Sequence, residues 1–240
     1  MPDSVLRRLL VRHGADLVVP WWETLPERIA SLAERWGVTT IEPIDRGNTA
    51  VLLRTDRGVL KLTPDERRSG EEAAALRLYA PTDRCVRLLD EVPGALRLEA
   101  LRPVDRPITT GEAGRLVGAL HAIEAPAGTP TLASRIDRIF DHATRRGTAW
   151  AHRRDQALAL ARRRGPAVLL HGDLHPGNLL LADRGLVVID PTPFVGDPAW
   201  DLADLSRICT GDVDDLVGPT RASSEDVRAW ARVFAADPGT

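Results

Sequence analysis

Lysine is almost missing from this chain: of its 32 basic residues, Lys61 is the only one that is not an arginine. Cysteine is nearly as scarce, and Cys85 and Cys209 lie far apart with no metal-type spacing. This excludes a disulfide framework and a zinc-finger site, and it predicts two reduced, buried thiols in a cytoplasmic protein. No apolar run approaches the roughly 20 residues needed to cross a bilayer. The first residues, Met1 to Leu10, lack the uninterrupted apolar stretch of a secretion signal. A strong charge of either sign is also lacking: the net charge is −2, with acids interleaved among the arginines, so nothing marks a nucleic-acid-binding face. The run Arg162-Arg163-Arg164 is expected at a solvated helix end, where arginines complement the helix dipole. A soluble protein with neither a membrane nor a nucleic-acid partner is predicted, acting as a monomer or weak homodimer.

Against that background the patterning is clear. Pro26 to Trp36 has helical spacing with proline in the first turn and stops at Gly37. The period then changes to two over Thr39 to Ile44, Ala50 to Thr55 and Val59 to Thr63, with Asp56-Arg57-Gly58 as a hairpin signal. A helix is predicted over Glu66 to Leu78. Strands follow at Val86 to Leu89 and Ala95 to Glu99. Beyond Pro103 helices dominate: Thr110 to Ile123, Leu132 to Thr144, Trp150 to Arg163, Ala199 to Ile208 and Ser224 to Ala235, with strands at Val168 to Leu170 and Leu186 to Ile189. The fold class is therefore α+β. Residues 1–100 form a small antiparallel-sheet lobe, residues 101–240 a mainly helical lobe, and the connector lies near Glu99 to Pro103.

The most informative segment is His171-Gly-Asp173-Leu-His175-Pro-Gly-Asn178, followed by Asp190-Pro191 at the end of an apolar strand. Phosphoryl transfer needs an acceptor hydroxyl held in line and neutralisation of the triphosphate charge. Asp173 suits the first task, as the carboxylate that accepts the hydroxyl's proton. Asn178 and Asp190 suit the second, as an amide oxygen and a carboxylate for Mg2+, an ion that takes few protein oxygens beside substrate phosphates. Pro176-Gly177 turns the chain between base and ligand, and His171 is expected to tie the loop down by hydrogen bonds. The rival reading, a zinc site of His171, Asp173 and His175, lacks a fourth ligand.

Lys61 stands inside the third strand. A lone lysine in an arginine-rich chain suggests a compact ammonium reaching phosphates, a task that a planar guanidinium performs badly. Glu71 or Glu72 on the following helix could pair with it. Glu72 is favoured, because Ala73 to Leu78 make that part of the helix the packing one. The preceding hairpin offers Gly47, Asn48 and Thr49, whose amides could approach phosphates, although it holds one glycine only.

Together these residues resemble the protein-kinase-like antibiotic phosphotransferases, the aminoglycoside and hydroxyurea resistance kinases, over most of Trp36 to Ser206. The resemblance implies a bilobal protein-kinase-like fold and the cofactors ATP and Mg2+. It makes Asp173 the base, Lys61 the α/β-phosphate contact, Glu72 its ion-pair partner, Asn178 and Asp190 the magnesium ligands, and Glu99, Ala100 and Leu101 the hinge that holds adenine. It further implies a hydroxylated small-molecule acceptor, cationic if it is an aminoglycoside such as streptomycin, whose phosphorylation gives resistance. Gly172 replaces the arginine of protein kinases and the interval from Asp190 to Asp197 is short, so no activation loop is expected. Thr192 departs from the lysine common after Asp-Pro, and the chain ends at Thr240, earlier than many relatives. Thr192 and the sparse glycine loop leave a second reading open, a catalytically silent nucleotide-binding regulator. Candidate acceptor carboxylates are Asp197, Asp201, Asp212, Asp214 and Asp215, each of which could instead cap a helix, brace the loop or sit in a solvated turn.

Overall fold

Val51, Leu53 and Thr55 alternate with Leu52 and Arg54, and this period of two places the first set on one face of a strand and the second set on the other. In the computed structural model, which describes residues 2–47, 49–145, 147–148 and 150–235, the strand is β2 (Val51–Thr55) of a five-stranded antiparallel sheet. The others are β1 (Ile41–Ile44), β3 (Gly58–Leu62), β4 (Leu88–Val92) and β5 (Ala95–Leu98), in the order β1-β2-β3-β5-β4. The β2–β3 hairpin closes on Asp56-Arg57, with Thr55 opposite Gly58. The sheet's fourth strand runs later than its sequence suggests. It is Leu88–Val92 rather than Val86 to Leu89, because the turn needs only Pro93-Gly94, where Gly94 takes the positive φ of 77°.

The chain divides into two compact units, Met1–Arg77 with Val86–Leu101, and Leu78–Cys85 with Arg102–Thr240. In the first, three helices cover one sheet face: α1 (Asp3–His13), α2 (Ala15–Glu23) and α3 (Leu25–Trp36). Their Val5, Leu9, Val18, Trp21, Leu25, Leu32 and Trp36 form one core with Val51, Leu53, Leu60, Leu62 and Ala95. Only α3 was legible as a helix; α1 and α2 are separated by Gly14 at φ 83°, and α2 carries Pro20 inside it. Helix α4 (Glu66–Tyr79) follows β3 and buries Ala73, Ala75 and Leu76.

The second unit is mainly helical. It holds α5 (Thr110–His121), α6 (Leu132–Arg145), α7 (Arg154–Ala161), α8 (Ala199–Leu202), α9 (Leu205–Ile208), α10 (Val213–Val217) and α11 (Ser224–Phe234). Thr109 and Ser223 cap α5 and α11 through their side-chain oxygens. The strands β6 (Arg102–Pro103), β8 (Leu179–Ala182) and β9 (Gly185–Val188) form one small sheet, and β7 (Val168–Leu170) pairs with β10 (Phe194–Gly196). A core of edge-to-face rings joins Trp150 to Phe140 and Phe234, and Trp200 to Trp230 and Phe234.

Three expectations need correction. The helix foreseen over Trp150 to Arg163 is a turn of 3-10 helix at Ala151–Arg153 followed by α7, so Arg163 and Arg164 lie past the helix end, with Arg163 paired to Asp226 at 3.1 Å. The helix foreseen over Ala199 to Ile208 is broken into α8 and α9. Cys209 is half-buried rather than buried, and desolvation followed by the charge of Glu112 pushes its thiol up to about 11; Cys85 is buried, and both are free.

Candidate active site

The loop from His171 to Asn178 leaves the buried strand β7 and is held by its backbone. The carboxylate of Asp201, fully buried on α8, accepts the N–H of His171 at 2.7 Å and that of Gly172 at 3.0 Å. Its Oδ2 also takes a hydrogen bond from His121 Nε2 at 3.0 Å, at the end of α5. Burial alone would raise the Asp201 carboxyl, but the hydrogen bond from His121 and the Gly172 N–H hold it below the usual range. Among the described residues, Nδ1 of His121 is buried with no hydrogen-bond partner.

His171 does what its position in the motif suggests. Its Nε2 donates to the Ile189 carbonyl at 3.0 Å, and its Nδ1 accepts the Asp173 N–H at 3.4 Å. This pattern is that of the neutral imidazole, and burial lowers its pKa against the opposing pull of Asp201 and Asp173. With both ring nitrogens of His171 in use and His175 Nδ1 accepting the Gly177 N–H at 3.1 Å, the zinc reading has no ligand set. No cluster of three or more metal-ligating side chains occurs among the described residues.

Gly172 sits at φ 87°, and a Cβ there would lie 2.2 Å from the Thr192 carbonyl oxygen and 2.7 Å from the Phe194 ring. The N–H of Thr192 returns a hydrogen bond to the His171 carbonyl at 2.8 Å. Thr192 therefore enters the loop through its backbone, while its side chain is exposed.

Asp173, Asn178 and Asp190 are brought together. Asn178 is buried and donates its Nδ2 to the Asp173 carbonyl at 2.8 Å, and its own carbonyl accepts the Ile189 N–H at 3.1 Å. With the amide nitrogen committed, the amide oxygen is the end left to meet a ligand. Asp190 is half-buried at the end of the β9 segment and adopts φ 58°, a left-handed conformation rare outside glycine and tolerated by aspartate. An amide oxygen and a carboxylate form a hard-oxygen donor set of the kind magnesium accepts, so the residues present fit the ion. The Asp173 carboxylate is exposed.

In the first unit, Lys61 is 7% exposed on the central strand β3, so it is not an edge charge. Its Nζ lies 2.8 and 2.7 Å from the two carboxylate oxygens of Glu72. Glu71 turns outward to Arg67. Gly47 is exposed at φ 82°, Thr49 is half-buried, and Asn48 lies outside the described residues. The Glu99 N–H donates to the Arg87 carbonyl at 3.0 Å and its carboxylate accepts the Arg87 N–H at 2.8 Å; Ala100 is exposed and Leu101 half-buried.

Of the acidic candidates, Asp201 braces the loop. Asp197 accepts the Ala199 N–H at 2.9 Å and the Trp230 indole N–H at 2.9 Å. Asp212 caps α10 and Asp214 pairs with Ser224. Sequence reasoning missed His121, whose only signal is a histidine ending an apolar helix. It also missed Asp204, a half-buried carboxyl pushed up by burial, in electrostatic reach of His175 and Asp173 and 3.7 Å from Arg207.

The same architecture is found in solved structures. The ternary complex of APH(2'')-IIa with streptomycin and ATP superposes with a TM-score of 0.61 over 86% of this chain and 85% of that one, at 11% identity. Fold and loop define a protein-kinase-like phosphotransferase. Residues 40–234 match the phosphotransferase enzyme family APH. A hydroxyurea phosphotransferase of Kitasatospora aureofaciens is 34% identical over 92% of this chain and 74% of its own length. A streptomycin 6-kinase of Streptomyces glaucescens is 31% identical over 76% of this chain and 66% of its own. The chain belongs to the APH family, kinases that phosphorylate hydroxyl groups of small molecules.

Proposed function

We propose that this chain transfers the γ-phosphoryl group of ATP to a hydroxyl of an aminoglycoside of the streptomycin type, inactivating it and so giving resistance. The observation that carries the reading is the arrangement around Asp173: an exposed carboxylate on a loop fixed by a buried one, with Asn178 and Asp190 tied to the same loop. Asp173 orients the acceptor hydroxyl and takes its proton as the oxygen bonds to the γ-phosphorus and the bond to the β-phosphate oxygen breaks, releasing ADP. Asn178 and Asp190 would hold magnesium, which when bound neutralises charge on the triphosphate. Lys61, oriented by both oxygens of Glu72, contacts the α- and β-phosphates. Since the Glu99 N–H is committed to Arg87, adenine is met by other backbone groups of residues 99–101. Such chemistry belongs in the cytoplasm, where ATP is supplied. No described helix is long and apolar enough to cross a membrane.

The acceptor assignment draws on the streptomycin 6-kinase relatives. A second reading, a small neutral acceptor, is favoured by the 34% identical relative that bears the name hydroxyurea phosphotransferase. Mass spectrometry after incubation with Mg-ATP and streptomycin, other aminoglycosides or hydroxyurea decides between them. A phosphate adduct on streptomycin is expected; an adduct on hydroxyurea alone replaces the first reading with the second. No adduct with any acceptor, together with no nucleotide turnover, would sink both.

A further inference from the structure

Strand β7 delivers the loop that carries Asp173, and its last peptide is gripped at both ends. The hydroxyl of Tyr79 donates to the Leu170 carbonyl at 2.8 Å, and the N–H of His171, across the same peptide, donates to Asp201 at 2.7 Å. In a trans peptide these two groups point in opposite directions, so two side chains hold one peptide plane from opposite sides. Tyr79 and Asp201 are both at 0% exposure. Tyr79 is the last residue of α4 and falls with Leu78–Cys85 in the second unit, although 91 positions separate it from Leu170. It is also the only tyrosine of the chain. Burial first, then the charge of Asp201, pushes its phenol far above the ordinary range, so the hydroxyl keeps its proton and remains a donor.

We propose that Tyr79 is a positioning residue for phosphoryl transfer: its hydroxyl fixes the peptide between Leu170 and His171 and, through the loop, the carboxylate of Asp173. The need for it lies at Gly172, which sits at φ 87° with no side chain to restrict its own backbone. The course of the loop there is set by hydrogen bonds instead. Asp201 accepts the Gly172 N–H, the Trp200 indole donates to the Gly172 carbonyl at 3.4 Å, and the Thr192 N–H donates to the His171 carbonyl at 2.8 Å. A carboxylate holds N–H groups and has no donor for a carbonyl, so the Leu170 oxygen requires a different side chain, and Tyr79 provides it. Releasing that carbonyl lets the peptide rotate about its flanking bonds. The shift passes through Gly172 to Asp173, where a misplacement of about 1 Å is costly to an in-line reaction. The inference rests on the reading of Asp173 as the base.

The test is Tyr79→Phe, which keeps the ring and removes the hydroxyl alone, in steady-state kinetics with Mg-ATP and streptomycin, or hydroxyurea where that is the acceptor phosphorylated. Loss of this buried bond lowers kcat about tenfold. Both KM values change little, because the hydroxyl touches neither substrate. Thr55→Val is the control: it removes a buried side-chain bond of similar length, 2.9 Å to the Gly58 carbonyl, and lowers the melting temperature without changing kcat. A double-mutant cycle separates positioning from general loosening. In the Asp173→Asn background Tyr79→Phe has no further effect on turnover, since a residue that acts through Asp173 then has nothing left to position. A wild-type kcat in Tyr79→Phe, or a loss of the same size in the Asp173→Asn background, overturns this inference alone. Near-normal turnover in Asp173→Asn, or no turnover by the wild type, overturns the reading of the site and this inference with it. Should Tyr79→Phe not fold, the single tyrosine permits a second measurement on the natural sequence. With 3-fluorotyrosine incorporated, the one fluorine resonance is expected not to titrate through the range where free fluorotyrosine ionises. Titration in that range means that the hydroxyl is not held, and it overturns the proposal.

Discussion

The His171 to Asn178 loop and the β1–β2 hairpin each carry a glycine in the left-handed region, Gly172 at φ 87° and Gly47 at φ 82°, and the two are held in opposite ways. The His171 to Asn178 loop is fixed from within. Asp201, with no exposure, takes two of its N–H groups, and His171 sits at its base with both nitrogens bonded. The hairpin at Gly47 is fixed from outside, by Arg8, Ser4 and His13 on a surface helix. Buried bonds in low dielectric are strong and costly to leave unmade, whereas exposed ones are screened and replaceable by water. The first arrangement holds one geometry, and the second yields and re-forms more readily. The largest expected effect tests that division directly. Asp173→Asn lowers turnover by about 10²–10⁴ and leaves Mg-ATP affinity nearly intact, because the triphosphate is held elsewhere. Near-normal turnover in that variant would remove Asp173 from the chemistry.

Next in size is the buried brace. Asp201→Asn keeps the shape but leaves His121 and the two N–H groups facing a neutral amide with one acceptor oxygen, and breaking a buried charged partnership costs about 3–5 kcal/mol. The melting temperature and kcat fall together. Asp45→Asn, the corresponding cut in the exposed clamp that Arg8 and Ser4 form on its carboxylate, leaves the melting temperature unchanged. Equal thermal shifts for the two would erase the distinction between inner and outer support.

The glycines give a closer comparison, since both take a positive φ while their surroundings differ. A Cβ at Gly172 meets a carbonyl oxygen at 2.2 Å, so the backbone must move, and a displacement near 1 Å in a catalytic loop costs on the order of 100-fold in rate. At Gly47 the nearest atom is a leucine methyl at 3.4 Å, which can yield, so Gly47→Ala carries only the left-handed strain of about 1–2 kcal/mol. Kinetics of the two alanine variants should rank them in that order.

The inner-braced loop was the readable one. Its chemistry is packed into consecutive residues from His171 to Asn178 plus Asp190, and the lysine that answers it stands alone of its kind. The antiparallel sheet with a helical second half was readable from the switch of period alone. The braces were readable only in part: Asp201 stood among the carboxylates that could brace the loop, but its partner His121 is 80 positions away, and Arg8 and Gly47 are 39 apart, so no local pattern announces either contact. Helices α1 and α2 escaped for a local reason, a glycine between them and a proline inside the second. The split of α8 from α9 escaped because Ala203 and Asp204 are acceptable helix residues, and their placement is decided by packing rather than propensity.

The smallest effect separates the two loops by pH. His171 is neutral in the folded protein, its pKa lowered from 6.5 by burial, whereas the unfolded chain protonates it normally. Between its folded pKa and 6.5 the unfolded state binds more protons, so stability rises with pH across that window and is lost as pH falls below 6.5. Protonation would also cost Nδ1 its role as acceptor for the Asp173 N–H. Asp201, whose carboxyl is held low, loses its contribution only below the usual carboxylate range, outside this window. Asp197 and Asp204 are raised from 3.8 by burial and act with the opposite sign, gaining stability as pH falls, so the wild-type profile alone is a sum. The informative quantity is the difference from His171→Gln, which can still donate to Ile189 and accept from Asp173 but does not titrate. Melting temperatures of wild type and variant should converge as pH falls from 7 toward 5. Parallel curves over that interval would mean that His171 does not titrate on unfolding, and that the inner brace owes nothing to a neutral imidazole.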